Sequence, residues 1–226
     1  MTEQKHGGVA WGDRSIIGDR KDKGKDFLRL KPGSNLIRVL TLPHQYYQHK
    51  YKIEGEKGFG HRIPCSAKNG FCAVCAKGDK PKKRWYLGVI DRTSNSYKIL
   101  DINWFVLNDI NAYAADDDWG DPTQYDFDIV VNPNAPATSY YKAVAKPKKP
   151  LSASDLAIQE GQVDLADLER RCAPADPKKV EERLQSLMDD VVKGGGGSGN
   201  TSSSSNDDED EDEDFPDAKV SNPFDR

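Results

Sequence analysis

The sequence is short of the features that announce an exported, membrane-bound or hydrolytic protein. Among its 226 residues no apolar run approaches the ~18 residues of a membrane helix. The opening MTEQKHGGVAWGDR has no apolar stretch of the kind that drives secretion. There are only four cysteines, and without a secretory signal they do not read as a disulfide framework, so a reducing cytoplasm is expected. H-x-E, H-E-x-x-H, G-x-S-x-G and phosphate-binding-loop motifs are all missing. A thioredoxin-like redox pair would need a strand–helix–strand setting around a C-x2-C, and that pattern is missing too.

What the sequence does have is a concentration of metal-ligand chemistry between His49 and Cys75, HKYKIEGEKGFGHRIPCSAKNGFCAVC. Cys72 and Cys75 form a C-x2-C pair, which supplies two ligands of a tetrahedral ion from one tight loop. Cys65 is the natural third. The fourth is a choice between His49 and His61. Residues 46–54 and 58–65 both read as extended, and Gly55-Glu56-Lys57-Gly58 between them reads as a hairpin turn. A turn centred near residue 57 sets His49 opposite Cys65, where Cβ atoms lie ~5 Å apart. His61 stands four residues before Cys65 on one strand, ~13 Å away if extended. The hairpin therefore favours His49, with His61 the runner-up. Four protein ligands leave no open position for water, so the expected cofactor is one structural Zn2+ rather than a catalytic ion. Buried free thiols are the bland alternative.

The net charge of −4 conceals an asymmetry. Residues 1–150 hold 25 Lys and Arg against 17 Asp and Glu, residues 151–193 hold 6 against 10, and residues 194–226 hold 2 against 10. A basic body with an acidic tail is the charge plan of a nucleic-acid binder. Residues 1–26 form a polar, basic-leaning arm. Runs at 27–30, 36–40, 85–90, 97–102, 125–131 and 140–144 are β-favouring, the first two joined by a Pro-Gly turn. The spacing of Trp104, Leu107, Ile110 and Ala114 predicts a helix over 103–115. Lys146-Pro147-Lys148-Lys149-Pro150 reads as a linker. Residues 151–172 are helical in part, and Asp176-Pro177 opens an amphipathic helix over 177–192 with Val180, Leu184, Leu187 and Val191 on one face. Cys172 reads as a half-buried thiol. Residues 194–226 are a Gly/Ser linker and an acidic run that cannot pack. Short strands with turns and one helix imply a mainly β chain, a small barrel or sandwich of five to six strands.

Aromatic and cationic residues interleave along the strands: Tyr46, Tyr47, Lys50 and Tyr51, then Lys82, Lys83, Arg84, Trp85 and Tyr86, then Tyr140, Tyr141 and Lys142. Single strands are held by bases stacked on aromatic faces while cations follow the phosphates. Leu87, Val89, Ile99 and Ile102 can fill a core without these aromatics, which favours a surface role for the set.

Residues 28–144 resemble the phage single-stranded-DNA-binding proteins of the T4-type helix-destabilising family. The matching stretches are LRLKPGSNLIRVL, His49 shortly after it, the C…CAVC ligands, KKRWYLGVIDR and YKILDINWFVLNDINAY, with a Ser/Gly linker and acidic C-terminus in corresponding places. The resemblance implies an OB-like fold with an inserted zinc subdomain and a ligand set of one His and three Cys. It implies non-catalytic coating of single-stranded DNA during phage replication, recombination and repair, in the cytoplasm of the infected bacterial host. It further implies self-association on DNA, and replication and recombination proteins recruited through the acidic tail, with no membrane partner. The family's short basic, Ser/Thr-containing motif is not evident in residues 1–26. On this reading the organisation is an arm at 1–26, a zinc-containing OB-like domain at 27–145, a linker and helical segment at 146–193, and a tail at 194–226. The competing functions are a zinc-dependent nuclease or deaminase and a replication adaptor that does not touch DNA.

Overall fold

In the computed structural model, residues 27–53 and 60–193 are described; the expected arm, the hairpin turn at 55–58 and the acidic tail lie outside them. The chain is mainly β. Its strands are β1 (Gly33–Val39), β2 (His44–Tyr51), β3 (His61–Pro64), β4 (Lys82–Asp91), β5 (Ser96–Ile102), β6 (Asp126–Val131) and β7 (Tyr141–Ala145). Six form a continuous ladder, β3-β2-β4-β1-β6-β7, and β5 pairs with β4 outside that path. All pairings between them are antiparallel, and the sheet curls into a half-barrel. Seven strands stand where five to six are expected.

The long strand β4 organises the sheet. Its first half pairs with β2 (Tyr46↔Arg84) and its second half with β1 (Arg38↔Ile90). Trp85 to Asp91 also pair with β5. The break between β1 and β2 falls at 40–43, which ends in Pro43, a residue with no N–H to give a ladder. β1 in turn pairs with β6, from Gly33↔Val131 to Arg38↔Asp126.

Residues 27–30 depart from the expected strand paired across the Pro-Gly turn. Asn35 closes that turn by itself, its Nδ2 donating to Lys31 O and Gly33 O. Phe27 instead makes a parallel bridge to Ile99, and Leu28 N donates to Ile99 O at 2.9 Å. Leu28 and Leu30 then pack on the main core, whose buried members include Ile37, Val89, Leu100, Phe127 and Ile129.

Helix α1 (Trp104–Ala114) lies between β5 and β6 in sequence and starts where the periodicity places it. Asn103 caps it, accepting from Val106 N. The segment after the sheet forms α2 (Ala153–Gln162), α3 (Leu165–Cys172) and α4 (Pro177–Lys193). Ser152 and Asp155 close a capping box at the start of α2. Asp155 also accepts from Arg92 Nη1 at 2.7 Å, and Arg92 Nη2 reaches Asp126 at 2.9 Å. Asp126 further pairs with Arg38, which is fully buried. This chain of charges fixes α2 to β1, β6 and the turn that follows β4. Cys172 is half-buried, its thiol donating to His44 O.

Candidate metal centre and the adjoining cleft

β2 and β3 form the base of a small lobe. Tyr51 faces His61 and His49 faces Ile63, so the register lies two residues from the one that opposes His49 to Cys65. A shift of two preserves the face, because side chains alternate with period two. Cys65 N continues the ladder by donating to Tyr47 O at 2.9 Å. After Cys65 the chain makes two tight turns, at Ala67–Asn69 and Cys75–Lys77. Gly78 ends the second in a left-handed conformation, φ +88°, open without strain to glycine. The next residue, Asp79, returns to the site.

His49, Cys65, Cys72 and Cys75 converge, their ligand atoms all within 4.8 Å of one another. His61 is not part of this cluster. His49 Nε2 lies 3.4 Å from Cys72 Sγ and 3.6 Å from Cys75 Sγ, and Cys65 Sγ is 3.7 Å from Cys75 Sγ. A tetrahedral ion with bonds of ~2.3 Å to sulfur and ~2.05 Å to nitrogen has S···S edges of about 3.8 Å and N···S edges of about 3.6 Å. Three of the six donor–donor separations therefore match the edges of one metal-sized tetrahedron, and the others stay within 4.8 Å.

The thiol electrostatics also call for a cation. Burial pushes the Cys72 thiol up, but N–H groups of Cys75, Ser66 and Val74 and the Ser66 hydroxyl outweigh it and bring the value down to about 6. Cys75 is pushed up to about 12 by burial and then by its sulfur neighbours. Burial likewise raises Cys65. One sulfur is prepared as a thiolate, and the others resist joining it until a positive charge enters.

Asp79 completes the centre, and the sequence pattern gave no sign of it. Its Oδ2 lies 2.6 Å from His49 Nδ1, on a fully buried imidazole. That contact assigns the Nδ1 proton toward Asp79 and leaves Nε2 facing the sulfurs. The lobe has its own apolar core, in which Ile63, Cys65, Cys72 and Val74 pack with Val180, Leu184 and Leu187 of α4. Ala175 N donates to Cys65 O, and Asn69 Nδ2 donates to Pro174 O and Ala175 O, so the α3–α4 connection is bonded to the metal loop.

Beside the lobe lies a cleft of about 680 Å³. Of the residues read from sequence as strand-binding, Tyr46, Tyr47, Arg84, Tyr86 and Tyr141 line it. Tyr46 is buried and stacks on Tyr86, with ring centroids 4.2 Å apart and planes 28° apart. Tyr47 carries the Lys68 ammonium 4.8 Å above its ring. Tyr140 packs edge-on against Tyr141. Lys50, Tyr51, Lys82, Lys83 and Lys142 are not among the cleft's lining residues, and Tyr51 packs on the metal lobe.

Trp85 departs from the expected surface role. It is buried in the main core with Leu87 and Ile102, its partner across β5. On β4, Trp85 faces the main core, while Arg84 and Tyr86 on the opposite face line the cleft. The cleft has further residues the pattern did not single out: Phe27, edge-on to Tyr86; Arg171, 5.6 Å over the Phe27 ring; and Arg62, Lys68 and Asp101.

No protein-family model matches the chain, and no curated protein matches it. No helix among the described residues is long and apolar enough to cross a membrane.

Proposed function

We propose that this protein is a zinc-stabilised, OB-type protein that binds and coats single-stranded DNA without catalysis, a phage helix-destabilising protein of the T4 type. The observation that carries the reading is the cleft, in which Tyr46, Tyr47, Tyr86 and Phe27 stand among Arg62, Lys68, Arg84 and Arg171. Aromatic faces take bases and cations take phosphates, a combination that is tolerant of sequence. The connectivity supports the barrel type. If β1 and β2 are the two halves of one bent strand, the order is β5, β4, β1/β2, β6, β7 with α1 between β5 and β6. That is the path of a five-stranded OB barrel.

Zinc is the ion that suits one imidazole and three thiolates at these separations. When bound, it ties β2 to the two tight turns and supplies folding energy to the lobe. His49, Cys65, Cys72 and Cys75 fill all four positions of a tetrahedral ion, which supports a structural role over a nuclease or deaminase. Function in the host cytoplasm, with replication and recombination proteins recruited by the tail, completes the proposal.

The test is fluorescence anisotropy of a labelled oligothymidylate, titrated with the full chain and with a chain lacking residues 194–226, over a salt series. The expected result is single-strand binding that weakens with salt, a slope of about −0.7 per phosphate contact. Loss of the tail should tighten it most at low salt, because ten acidic residues compete for the same basic body. A folded chain that ignores the oligonucleotide at low salt would leave the adaptor reading in its place.

A further inference from the structure

The cations of the cleft are not simply displayed to solvent. Arg84 is only 7% exposed, and its Nε donates to Asp101 Oδ1 at 2.9 Å. Tyr46 donates its hydroxyl to the same oxygen at 2.9 Å. From β3, Arg62 Nη1 donates to Asp101 Oδ2 at 3.3 Å. One carboxylate in the wall of the cleft thus takes donors from β2, β3 and β4.

The two arginines differ in how much they need it. A buried guanidinium deprived of its counter-charge is strongly disfavoured, so Arg84 keeps Asp101 whether or not the cleft is filled. The Arg62 side chain is 50% exposed and its contact is the longest of the three. Water can solvate it, and it can turn toward another anion. A phosphate offers a guanidinium the same kind of oxygen acceptors as a carboxylate.

We propose that Asp101 is an anionic place-holder in the cleft, occupying in the empty protein the Arg62 guanidinium that a strand phosphate takes over on binding. The proposal rests on the single-strand-binding reading given above and adds to it a residue that limits affinity. Binding exchanges one anion for another at Arg62 and brings the phosphate near the carboxylate left behind. Arg62, Arg84 and Asp101 together carry one net positive charge, where the arginines alone would carry two. The cleft then holds a strand less tightly than its cations allow, as a coat that must be stripped off requires.

The test is Asp101→Asn, which keeps the shape and an acceptor for Tyr46 and Arg84 but removes the charge. With the labelled oligothymidylate, the variant is expected to bind about tenfold more tightly at low salt, with the gain shrinking toward 0.5 M as screening sets in. Most of the gain should lie in slower dissociation. A folded Asp101→Asn chain that binds equally or more weakly overturns the proposal. Should that variant not fold, Arg62→Ala in the parent decides: the phosphate contact is lost with the guanidinium, so binding should weaken and the salt slope fall by about 0.7, and an unchanged affinity and slope overturn the proposal. A parent chain that binds no single strand overturns the function itself, which is a different outcome from a parent that binds while Asp101→Asn gains nothing.

Discussion

Asp79 offers the sharpest test of the metal centre, because it touches no ligand position except through His49. Asp79→Ala leaves a buried imidazole N–H at Nδ1 with no acceptor, a loss of about 1–3 kcal/mol for an unsatisfied buried donor. The Asp79 side chain is 29% exposed, so water can reach the gap and the lower part of that range applies. About 1–2 kcal/mol corresponds to about five- to thirtyfold in metal affinity, in line with the effect of removing such outer partners elsewhere. Asp79→Asn keeps an acceptor and loses only the charge, so its loss should be smaller. The assay is competition for zinc against a chromophoric chelator at neutral pH, with His61→Ala as a control that leaves affinity unchanged, since His61 lies outside the four-donor cluster. The reasoning fails if Asp79→Ala holds zinc as tightly as the parent, or if Asp79→Asn is the weaker of the two.

Three further outcomes follow from the packing and the charges. Trp85→Ala should cost about 3–5 kcal/mol of stability in urea melts, as a buried aromatic does, whereas Tyr47→Ala should stay folded and lose about 1–3 kcal/mol of oligonucleotide binding. Leu184→Ala should cost about 2–5 kcal/mol and make zinc easier to remove with a chelator, because Leu184 packs in one cluster with Cys65 and Cys72; normal zinc retention in a destabilised chain would count against it. For Asp155, burial raises the carboxyl, but the Arg92 bond and the Ser152 donors outweigh this and hold it below the usual range. A depressed folded value stabilises above the unfolded pKa of about 3.9 and is lost as pH falls through the folded value. Asp155→Asn should therefore be less stable than the parent at pH 7 by a margin that shrinks as pH falls below about 3.9 and is lost below the depressed folded value, and a margin independent of pH would refute the linkage.

The strands and helices were largely legible because their patterns are local. Tyr125 to Val131 alternates, and β6 follows; Asp176-Pro177 with its apolar stripe gives α4. The cleft was legible only by half, and the reason is geometric. Trp85-Tyr86 is an adjacent pair within β4, and that strand sends the two to opposite faces, whereas Tyr46 and Tyr47 of β2 both reach the cleft. Composition counts both members of a pair alike. Which one meets the core depends on register: Trp85 lies opposite the buried Ile102, and Tyr86 lies opposite Asp101. The metal ligands survived a register displaced by two residues only because an even shift keeps His49 on its face. A shift of one would have turned it away.

What no local pattern could supply is the partner of an apolar stripe, since burial of apolar surface has no direction of its own. Val180, Leu184 and Leu187 announce a helix with something to cover, and the sequence does not say what. The structure puts them on the metal lobe, more than a hundred residues earlier in the chain. The lobe's turns at 67–69 and 75–77 contain no buried residues of their own, so they rest on the four-donor centre from one side and on α4 from the other. Of these supports, α4 and the donor His49 come from outside the loop, while Cys65, Cys72 and Cys75 belong to it. The loop that packs on this distant helix also supplies Cys65 and Lys68 to the cleft. The cleft is thus bounded by a loop that packs on a helix which a reading of residues 28–144 alone would leave out.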